Sequence, residues 1–263
     1  MSTAQKIIKY LAIAFAMFLI FMIVSGITAV IGGIGSVLNK KENTKIVDKI
    51  DLNSLSSYLD INLKRATLNI KKSNKAYVEV SSDKIIVKED NNKIIIEDSS
   101  KSTLFTSRET VNLYIPEDFK YDLIAINNGA GNLNIEYLNT KKLILNLGAG
   151  KTTIDSLYSD ESKIDTGAGS FSINSGELAN ANIDLGVGKI IIKAKFYGKN
   201  KIEAGIGSVN LDLIENDYTF KIDKGIGSIN INGDKIKNDA TIGDGINTID
   251  IDGGIGSINI KVD

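Results

Sequence analysis

The sequence predicts an all-β fold, a parallel β-solenoid or β-helix, preceded by one N-terminal transmembrane helix. A Gly-x-Gly motif recurs about every 19 residues in the second half of the chain, and aliphatic residues hold the same positions in each copy. A long uncharged, apolar stretch lies near the N terminus. A fixed period of this length is typical of stacked repeats, in which each unit covers its neighbour.

The N-terminal segment has the composition of a membrane anchor. No charged residue lies between Lys9 and Lys40, and residues 10–24 (YLAIAFAMFLIFMIV) are almost wholly apolar. A helix needs about 20 such residues to cross a bilayer. We therefore predict a cytoplasmic tail over residues 1–9, a transmembrane anchor over 10–38, a linker over 39–65 and a β-repeat domain over 66–263. A cleavable signal peptide is the alternative, but the apolar stretch is long for one and no A-x-A cleavage site follows.

The lysines near this segment bear on its orientation. Lys6 and Lys9 favour an N terminus on the cytoplasmic side. Lys40, Lys41 and Lys45 favour the opposite orientation. We expect a single-pass protein of the cell membrane whose C-terminal domain is extracytoplasmic. The chain has no concentrated basic face, so nucleic acid is not an expected partner.

The residue types that are missing limit the chemistry. The chain contains no cysteine and no histidine. It therefore lacks the thiolate and imidazole ligands of most zinc sites, and also the Ser-His and Cys-His catalytic pairs. We predict a protein that is not an enzyme, with no catalytic residues, no metal site and no cofactor.

Alternating apolar residues predict strands from residue 66 onward. Runs such as YVEV, KIIVKED and KIIIED have the period of two that is typical of strands. Asn91 and Asn92 separate two of these runs and predict a hairpin turn. Pro116, the only proline, follows the run TVNLYI and predicts a strand end.

The repeat itself begins near residue 124. The first glycines of the Gly-x-Gly copies are at positions 129, 148, 167, 186, 205 and 225, and again at 254, with a degenerate copy at Gly245. Alignment gives four apolar columns. The first column comprises Ile126, Leu145, Ile164, Ile183, Ile202, Ile222 and Ile242. The column between the glycines comprises Ala130, Ala149, Ala168, Val187, Ile206, Ile226, Ile246 and Ile255. The third column comprises Leu133, Thr152, Phe171, Ile190, Val209, Ile229, Ile249 and Ile258. The fourth comprises Ile135, Ile154, Ile173, Ile192, Leu211, Ile231, Ile251 and Ile260.

The parity of the apolar positions changes at the glycines. Ile202, Ala204 and Ile206 share one parity, whereas Val209 and Leu211 share the other. If all of these side chains face inward, the chain turns a corner at the glycines, which tolerate unusual backbone angles. Each repeat is then a strand, a glycine corner, a second strand and a looser polar return, with successive repeats about 4.8 Å apart. A β-sandwich is the alternative, and the regular period argues against it.

The segment NLYIPEDFKYDLIAINNGAGNLNI, followed by the copies LGAGK, TGAGS, LGVGK, AGIGS and KGIGS, resembles the adhesin-like family of β-strand-repeat proteins of unknown function. The resemblance covers roughly residues 66–263. It implies a bacterial envelope or surface location, often with an N-terminal membrane anchor, and it implies no catalytic residues.

Two motifs resemble ligand-binding loops but lack their required residues. Gly148-Ala149-Gly150-Lys151 resembles a phosphate-binding loop, yet Leu145 stands where that loop needs glycine. Residues 253–257 (GGIGS) resemble a calcium-binding nonapeptide repeat, yet Ile258 stands where that repeat needs aspartate. We expect neither nucleotide nor calcium binding there.

Carboxylates also form a column. Successive copies place acidic residues at one outward position, namely Asp165, Asp184, Glu203 and Asp223. Stacked carboxylates attract divalent cations, but Lys163, Lys201 and Lys221 lie two residues earlier with the same parity. We expect a solvated face of mixed charge rather than a metal site.

These observations predict a non-catalytic, membrane-anchored module of the cell envelope that binds or scaffolds, with ligand residues unknown. An envelope protein or a polysaccharide is the expected partner, besides the membrane itself, and self-association is possible. One alternative is a membrane-tethered, self-assembling β-solenoid polymer, because the last segment, SINIKVD, has no obvious cap. Another is a carbohydrate-active enzyme built on a β-helix.

Overall fold

The computed structural model of the chain describes residues 44–52, 56–100, 108–215, 217–237 and 239–262, and only the backbone of Lys224. The described residues form strands and turns without a helix, which confirms the all-β prediction for them. The predicted tail 1–9 and anchor 10–38 lie outside the described residues. Among the described residues, no helix has the length and apolar character that a membrane crossing requires.

Fifteen strands form a single sheet that winds through the described chain. The strands of the first half are β1 (Asp48–Asp51), β2 (Tyr58–Lys72), β3 (Tyr77–Val80), β4 (Ile85–Asp90), β5 (Lys93–Asp98), β6 (Glu109–Ile115) and β7 (Tyr121–Ala130). The strands of the second half are β8 (Leu133–Ile173), β9 (Gly176–Ala179), β10 (Ala181–Tyr197), β11 (Lys199–Leu213), β12 (Tyr218–Ile231), β13 (Asp234–Ile236), β14 (Ala240–Ile242) and β15 (Asn247–Val262).

The middle of the chain stacks as the sequence predicts. β7 pairs with β8, β8 with β10, and β10 with β11, all in parallel. Ile164 lies opposite Ile183, and Ile183 lies opposite Ile202, so the register advances by one 19-residue repeat at each step. Each repeat is therefore one lap of a β-solenoid-like stack, and this parallel register is not that of a β-sandwich.

Aliphatic columns form the core of the stack. Ile164, Ile183 and Ile202 of the first column are completely buried. Ile190 and Val209 of the third column and Ile173 and Ile192 of the fourth are equally buried. Burying one such side chain stabilises a fold by about 1.5–3 kcal/mol, so the columns are the main source of stability.

The return segment of the middle laps is more ordered than the sequence predicts. β9 pairs in parallel with β8 on one side and with β10 on the other. Leu157, Leu178 and Phe196 point from these segments into the core and are fully buried. The return is thus a third strand segment with its own apolar column.

The column between the glycines does not belong to the core, contrary to the prediction. Ile226 is 74% exposed and Ile255 is 52% exposed, while Ala149 and Ile206 are only partly buried. The chain turns around the residue between the glycines, which leaves its side chain on the outside of the corner, so the parity of the apolar positions does not predict its exposure.

At the N-terminal end, β-structure begins earlier than residue 66 and the laps are out of sequence order. β1 and the first half of β2 fall within residues 39–65, where the sequence predicts a linker. β2 pairs with β7 on one side and with β5 and β6 on the other. The first lap of the chain therefore lies inside the stack, and the strands that follow it in sequence form the outermost lap.

The C-terminal end has the same arrangement. β15 lies between β11 and β12 and pairs with both in parallel. Ile251 lies opposite Ile202 and Ile222, so it occupies the first column, where the sequence alignment placed Ile242. Ile242 instead pairs with Phe220 through the antiparallel strand β14, and Ile246 is exposed.

Antiparallel strands cover both ends. β4 covers β5 through a hairpin that turns at Asn91 and Asn92, as predicted, and β3 covers β6. β13 and β14 cover β12 at the other end. The segment SINIKVD falls in β15, inside the stack, apart from the undescribed residue 263. It is therefore not a free end, which removes the observation behind the polymer alternative.

Candidate functional site: the outer surface of the glycine corner

The glycine corner is built by close contact between laps. A Cβ atom added to Gly169 would lie 1.9 Å from the carbonyl oxygen of Gly150, and one added to Gly188 would lie 1.8 Å from that of Gly169. The φ angles of these two glycines are +139° and +143°, which side chains disfavour. Both the contact and the backbone angle require glycine at the second position of each corner. The corner therefore has a fixed geometry that sets the position of every neighbouring side chain.

The residue between the glycines forms a ridge along this corner. From one end of the stack to the other, the ridge changes from Ala130, Ala149 and Ala168 to Val187 and then to isoleucine. Ile206, Ile255 and Ile226 lie side by side in three adjacent laps, because β15 lies between β11 and β12. We call these three residues the isoleucine strip.

A column of carboxylates runs parallel to the ridge, three residues earlier in each lap. Asp165 lies opposite Asp184, and Asp184 lies opposite Glu203. Asp252 then lies between Glu203 and Asp223. The acidic column therefore has five members rather than the four that the sequence predicts.

Asp252 is a member that the predicted acidic column lacked, since that column ended at Asp223 and was not continued into the copy at Gly254. The motif Gly-Ile-Gly-Ser at residues 254–257 is identical to those at 205–208 and 225–228. Alignment on this motif places Asp252 with Glu203 and Asp223.

Ion pairs offset part of this charge. Lys163 contacts Asp165 at 3.3 Å, and Lys201 contacts Glu203. The laps of Asp184 and Asp252 have Asn182 and Asp250 where the other laps have lysine. The face therefore has mixed charge, as predicted, with an acidic excess at Asp184 and in β15.

The acidic excess affects the pKa of Asp184. Partial desolvation raises the pKa of this carboxyl above its usual value, and the neighbouring carboxylates Glu203 and Asp165 raise it further. Lys201 and Lys163 oppose the shift. Within the described part of the chain, no group of three or more acidic side chains is arranged to hold a metal ion.

A second outward column consists of hydrogen-bonded asparagines. Asn230 donates to Asn259, and Asn259 donates to Asn210, at 2.9 and 3.1 Å. At the opposite end, Asn134 donates to Asn69, and Asn69 donates to Asn112, each at 2.8 Å. These amides connect neighbouring laps and present a polar face after the corner.

The interior of the corner offers little space to a ligand. A cavity of about 20 Å³ lies under the glycines and is lined by Asn128, Thr152, Thr166 and apolar side chains. A volume of this size holds about one water molecule. At the corner, the outer columns rather than this cavity are therefore suited to a larger partner.

The two motifs that resemble ligand-binding loops are structural parts of the stack. Gly148, Ala149, Gly150 and Lys151 lie within β8, with Leu145 buried in the core. Residues 253–257 lie within β15. The two arginines are also part of the N-terminal laps, since Arg65 lies opposite Ala130 and Arg108 is buried.

The geometry thus defines an all-β protein of stacked laps with glycine corners. The family model of the Toastrack DUF4097 proteins matches residues 56–253, and the chain belongs to this family. This membership agrees with the resemblance to adhesin-like repeat proteins that the sequence shows.

Several solved structures have a loosely similar fold. A "putative adhesin" from Bacteroides fragilis NCTC 9343 is 14% identical with a TM-score of 0.44, and the match covers 84% of this chain and 99% of that one. A "putative cell adhesion protein" from Clostridium sporogenes ATCC 15579 is 20% identical with a TM-score of 0.34, covering 83% and 97%. A "putative lipid binding protein" from Parabacteroides distasonis ATCC 8503 is 14% identical with a TM-score of 0.38, covering 83% and 98%. No curated protein matches the chain.

Proposed function

We propose that the chain is a non-catalytic binding or scaffolding module of the bacterial cell envelope. Its N-terminal segment anchors it in the membrane, and its β-domain lies outside the cytoplasm. The observation that carries the proposal is the register of the laps. Because each lap advances by one repeat, each outward position of one lap recurs in the next and forms a continuous column.

Such columns suit an extended partner better than a small molecule. Repeat proteins commonly bind through the long surfaces that stacking creates. The asparagine and acidic columns offer hydrogen bonds and charge at intervals of about 4.8 Å along the stack. An envelope protein or a polysaccharide can contact several laps at once, and many weak contacts then sum to a stable complex.

Cysteine labelling in intact cells tests the anchor and its orientation. The chain has no cysteine, so a single introduced cysteine is the only target for a maleimide that cannot cross membranes. We expect Asp118→Cys, in an exposed turn, to be labelled in intact cells. We expect Ser2→Cys to be labelled only after lysis. Labelling of Ser2→Cys alone in intact cells would contradict the orientation.

Site-specific crosslinking tests the binding role. A photo-crosslinking residue at Ser172, on the outer face of β8, should capture an envelope component in living cells. The same residue at the neighbouring position Ile173 is the control, because Ile173 is completely buried. Equal capture at both positions, or none at any outward position of the laps, would contradict a binding role.

A further inference from the structure

The isoleucine strip is an apolar surface beside a column of carboxylates. Its outer laps also carry Lys201 and Lys221, but its central lap has Asp250 at that position, so the acidic excess lies in β15. Ile226 and Ile255 are largely exposed, although most isoleucines of the laps are buried. Glu203, Asp252 and Asp223 lie three residues earlier in the same three laps and in the same lateral order. The apolar strip and the carboxylates are therefore two adjacent lines that run across the same laps.

The two features overlap at one end of the stack, although the acidic column begins one lap earlier, where Asp165 accompanies Ala168. In the laps of residues 127–130 and 146–149, the acidic position is asparagine and the ridge position is alanine. In the laps of Asp184, Glu203, Asp252 and Asp223, the ridge position is Val187 or one of the strip isoleucines. The core does not require this change, because the ridge lies outside it. Exposed isoleucine and excess acid both carry a cost for a free surface.

We propose that the isoleucine strip and its acidic column dock a basic amphipathic helix of a partner protein. This inference rests on the proposed binding function and names the class of partner for one surface. The apolar face of the helix would cover Ile206, Ile255 and Ile226, and its lysines or arginines would face the carboxylates. Charge complementarity selects a cationic segment, and it disfavours an anionic lipid surface.

The spacing of the laps selects a helix rather than a strand. The strip residues lie about 4.8 Å apart along the stack. Residues three or four apart in an α-helix are about 4.5–6 Å apart along its axis, so that positions i, i+3 and i+7 follow the strip. Same-face residues of a strand are about 6.6–6.8 Å apart and lose register by the third lap. The three-lap strip therefore matches about two turns of helix.

Peptide binding to the full chain in neutral lipid nanodiscs tests the proposal. The probe is a peptide of about 18 residues, long enough for partial helicity, with leucine on one face and lysine beside it. Control peptides replace lysine by glutamate, or alternate valine and lysine to favour a strand. We expect only the basic helical peptide to bind, and its affinity to fall as the salt concentration rises.

Substitutions in the chain locate the binding surface. We expect Ile226→Ser and Ile255→Ser each to weaken binding about tenfold, the effect typical of an interface residue that contributes about 1.4 kcal/mol. Ile246→Ser is the matched control, because Ile246 is 83% exposed but lies outside the strip. Asp252→Asn should weaken binding of the basic peptide, whereas Asp118→Asn, in a distant turn, should not. Circular dichroism verifies that each variant keeps its β-structure.

Several results would overturn the proposal. They are equal affinity for the basic and acidic helices, equal affinity for the strand-forming peptide, and wild-type affinity of both strip variants. Absence of binding at millimolar peptide, or self-association of the chain that Ile226→Ser abolishes, would also overturn it. Capture at Ser172 in cells would then still support the binding function. Failure of the helix-docking proposal can therefore be distinguished from failure of the proposed binding function.

Discussion

Asn259 donates its side-chain amide to Asn210 at 3.1 Å, although 49 positions separate the two residues in the chain. Asn230, nearer to Asn259 in sequence, donates to it from the other side at 2.9 Å. The bond between Asn259 and Asn210 exists because β15 enters the stack between β11 and β12. The C-terminal strand is therefore an internal lap that holds its two neighbours together.

The asparagine column should contribute to stability in proportion to its burial. Asn259→Ala removes the donor to Asn210 and the acceptor of Asn230, in a part-buried setting. We expect a loss of about 1–2 kcal/mol in the free energy of unfolding, since both partners lose a hydrogen bond. Asn146→Ala, which removes an exposed bond to Asn127, is the matched control and should cost less. Chemical denaturation measures both, and equal losses would contradict the role assigned to Asn259.

The corner glycines should be intolerant of any side chain. Gly169→Ala places a Cβ 1.9 Å from a backbone oxygen at a φ of +139°. We expect it to cost at least about 3 kcal/mol of stability, because the neighbouring lap must move. Gly233→Ala separates the two effects, since Gly233 has a φ of +90° but no atom near its Cβ position. That variant should lose only about 1 kcal/mol from the backbone angle. Similar denaturation midpoints for the two variants would show that the close contact between laps does not add to the cost of a side chain at Gly169.

The raised pKa of Asp184 predicts a pH-dependent effect on stability. A raised native pKa means that the charged carboxylate destabilises the fold. This loss of stability is absent below the usual carboxyl pKa of 3.8. It develops as pH rises above 3.8 and is complete above the higher native pKa. Asp184→Asn should therefore stabilise the protein at neutral pH, by up to about 1 kcal/mol after screening by solvent. The gain should disappear in acid. A gain of equal size at every pH, in thermal unfolding curves, would contradict this origin.

Tyr121 predicts an effect at alkaline pH. Burial raises the pKa of its phenol to about 12, and its side chain is 1% exposed. The native state therefore favours the protonated phenol. Because the unfolded state loses this proton first, the free energy of unfolding falls as pH rises from the usual 10 through about 12. Tyr121→Phe should unfold less readily than wild type in that range and differ little at neutral pH. Ultraviolet titration of the tyrosines, compared between the two proteins, identifies the group. Absence of a late-titrating tyrosine in wild type would contradict the burial.

Much of the fold follows from the sequence, for physical reasons. The 19-residue period predicts the parallel register because apolar side chains must cover one another, and Ile164, Ile183 and Ile202 do so. The order of the terminal laps could not be predicted. The laps of β11, β12 and β15 present the same glycines and aliphatic columns to their neighbours, so Ile251 fits beside Ile202 as well as Ile222 does.

The candidate site was only partly predictable. Four of the five acidic-column members follow from the repeat. Asp252 was not predicted, because its place between Glu203 and Asp223 depends on the order of the laps. The isoleucine strip was mistaken for core, because hydrophobicity and parity do not distinguish the inside of a corner from its outside. Ile226 differs from the buried Ile222 only in its place between two glycines.

Disulfide formation tests the stacking of the laps most directly, because the chain has no cysteine of its own. Ser257 lies opposite both Ser208 and Ser228 on adjacent strands. Adjacent strands bring Cα atoms about 5 Å apart, within the range that a disulfide spans. The account predicts an intramolecular disulfide in the double variants Ser208→Cys/Ser257→Cys and Ser228→Cys/Ser257→Cys, and none in Ser208→Cys/Ser228→Cys, whose sites are two laps apart. Efficient oxidation of Ser208→Cys/Ser228→Cys, with none in Ser208→Cys/Ser257→Cys, would show that the laps stack in sequence order and would contradict the account.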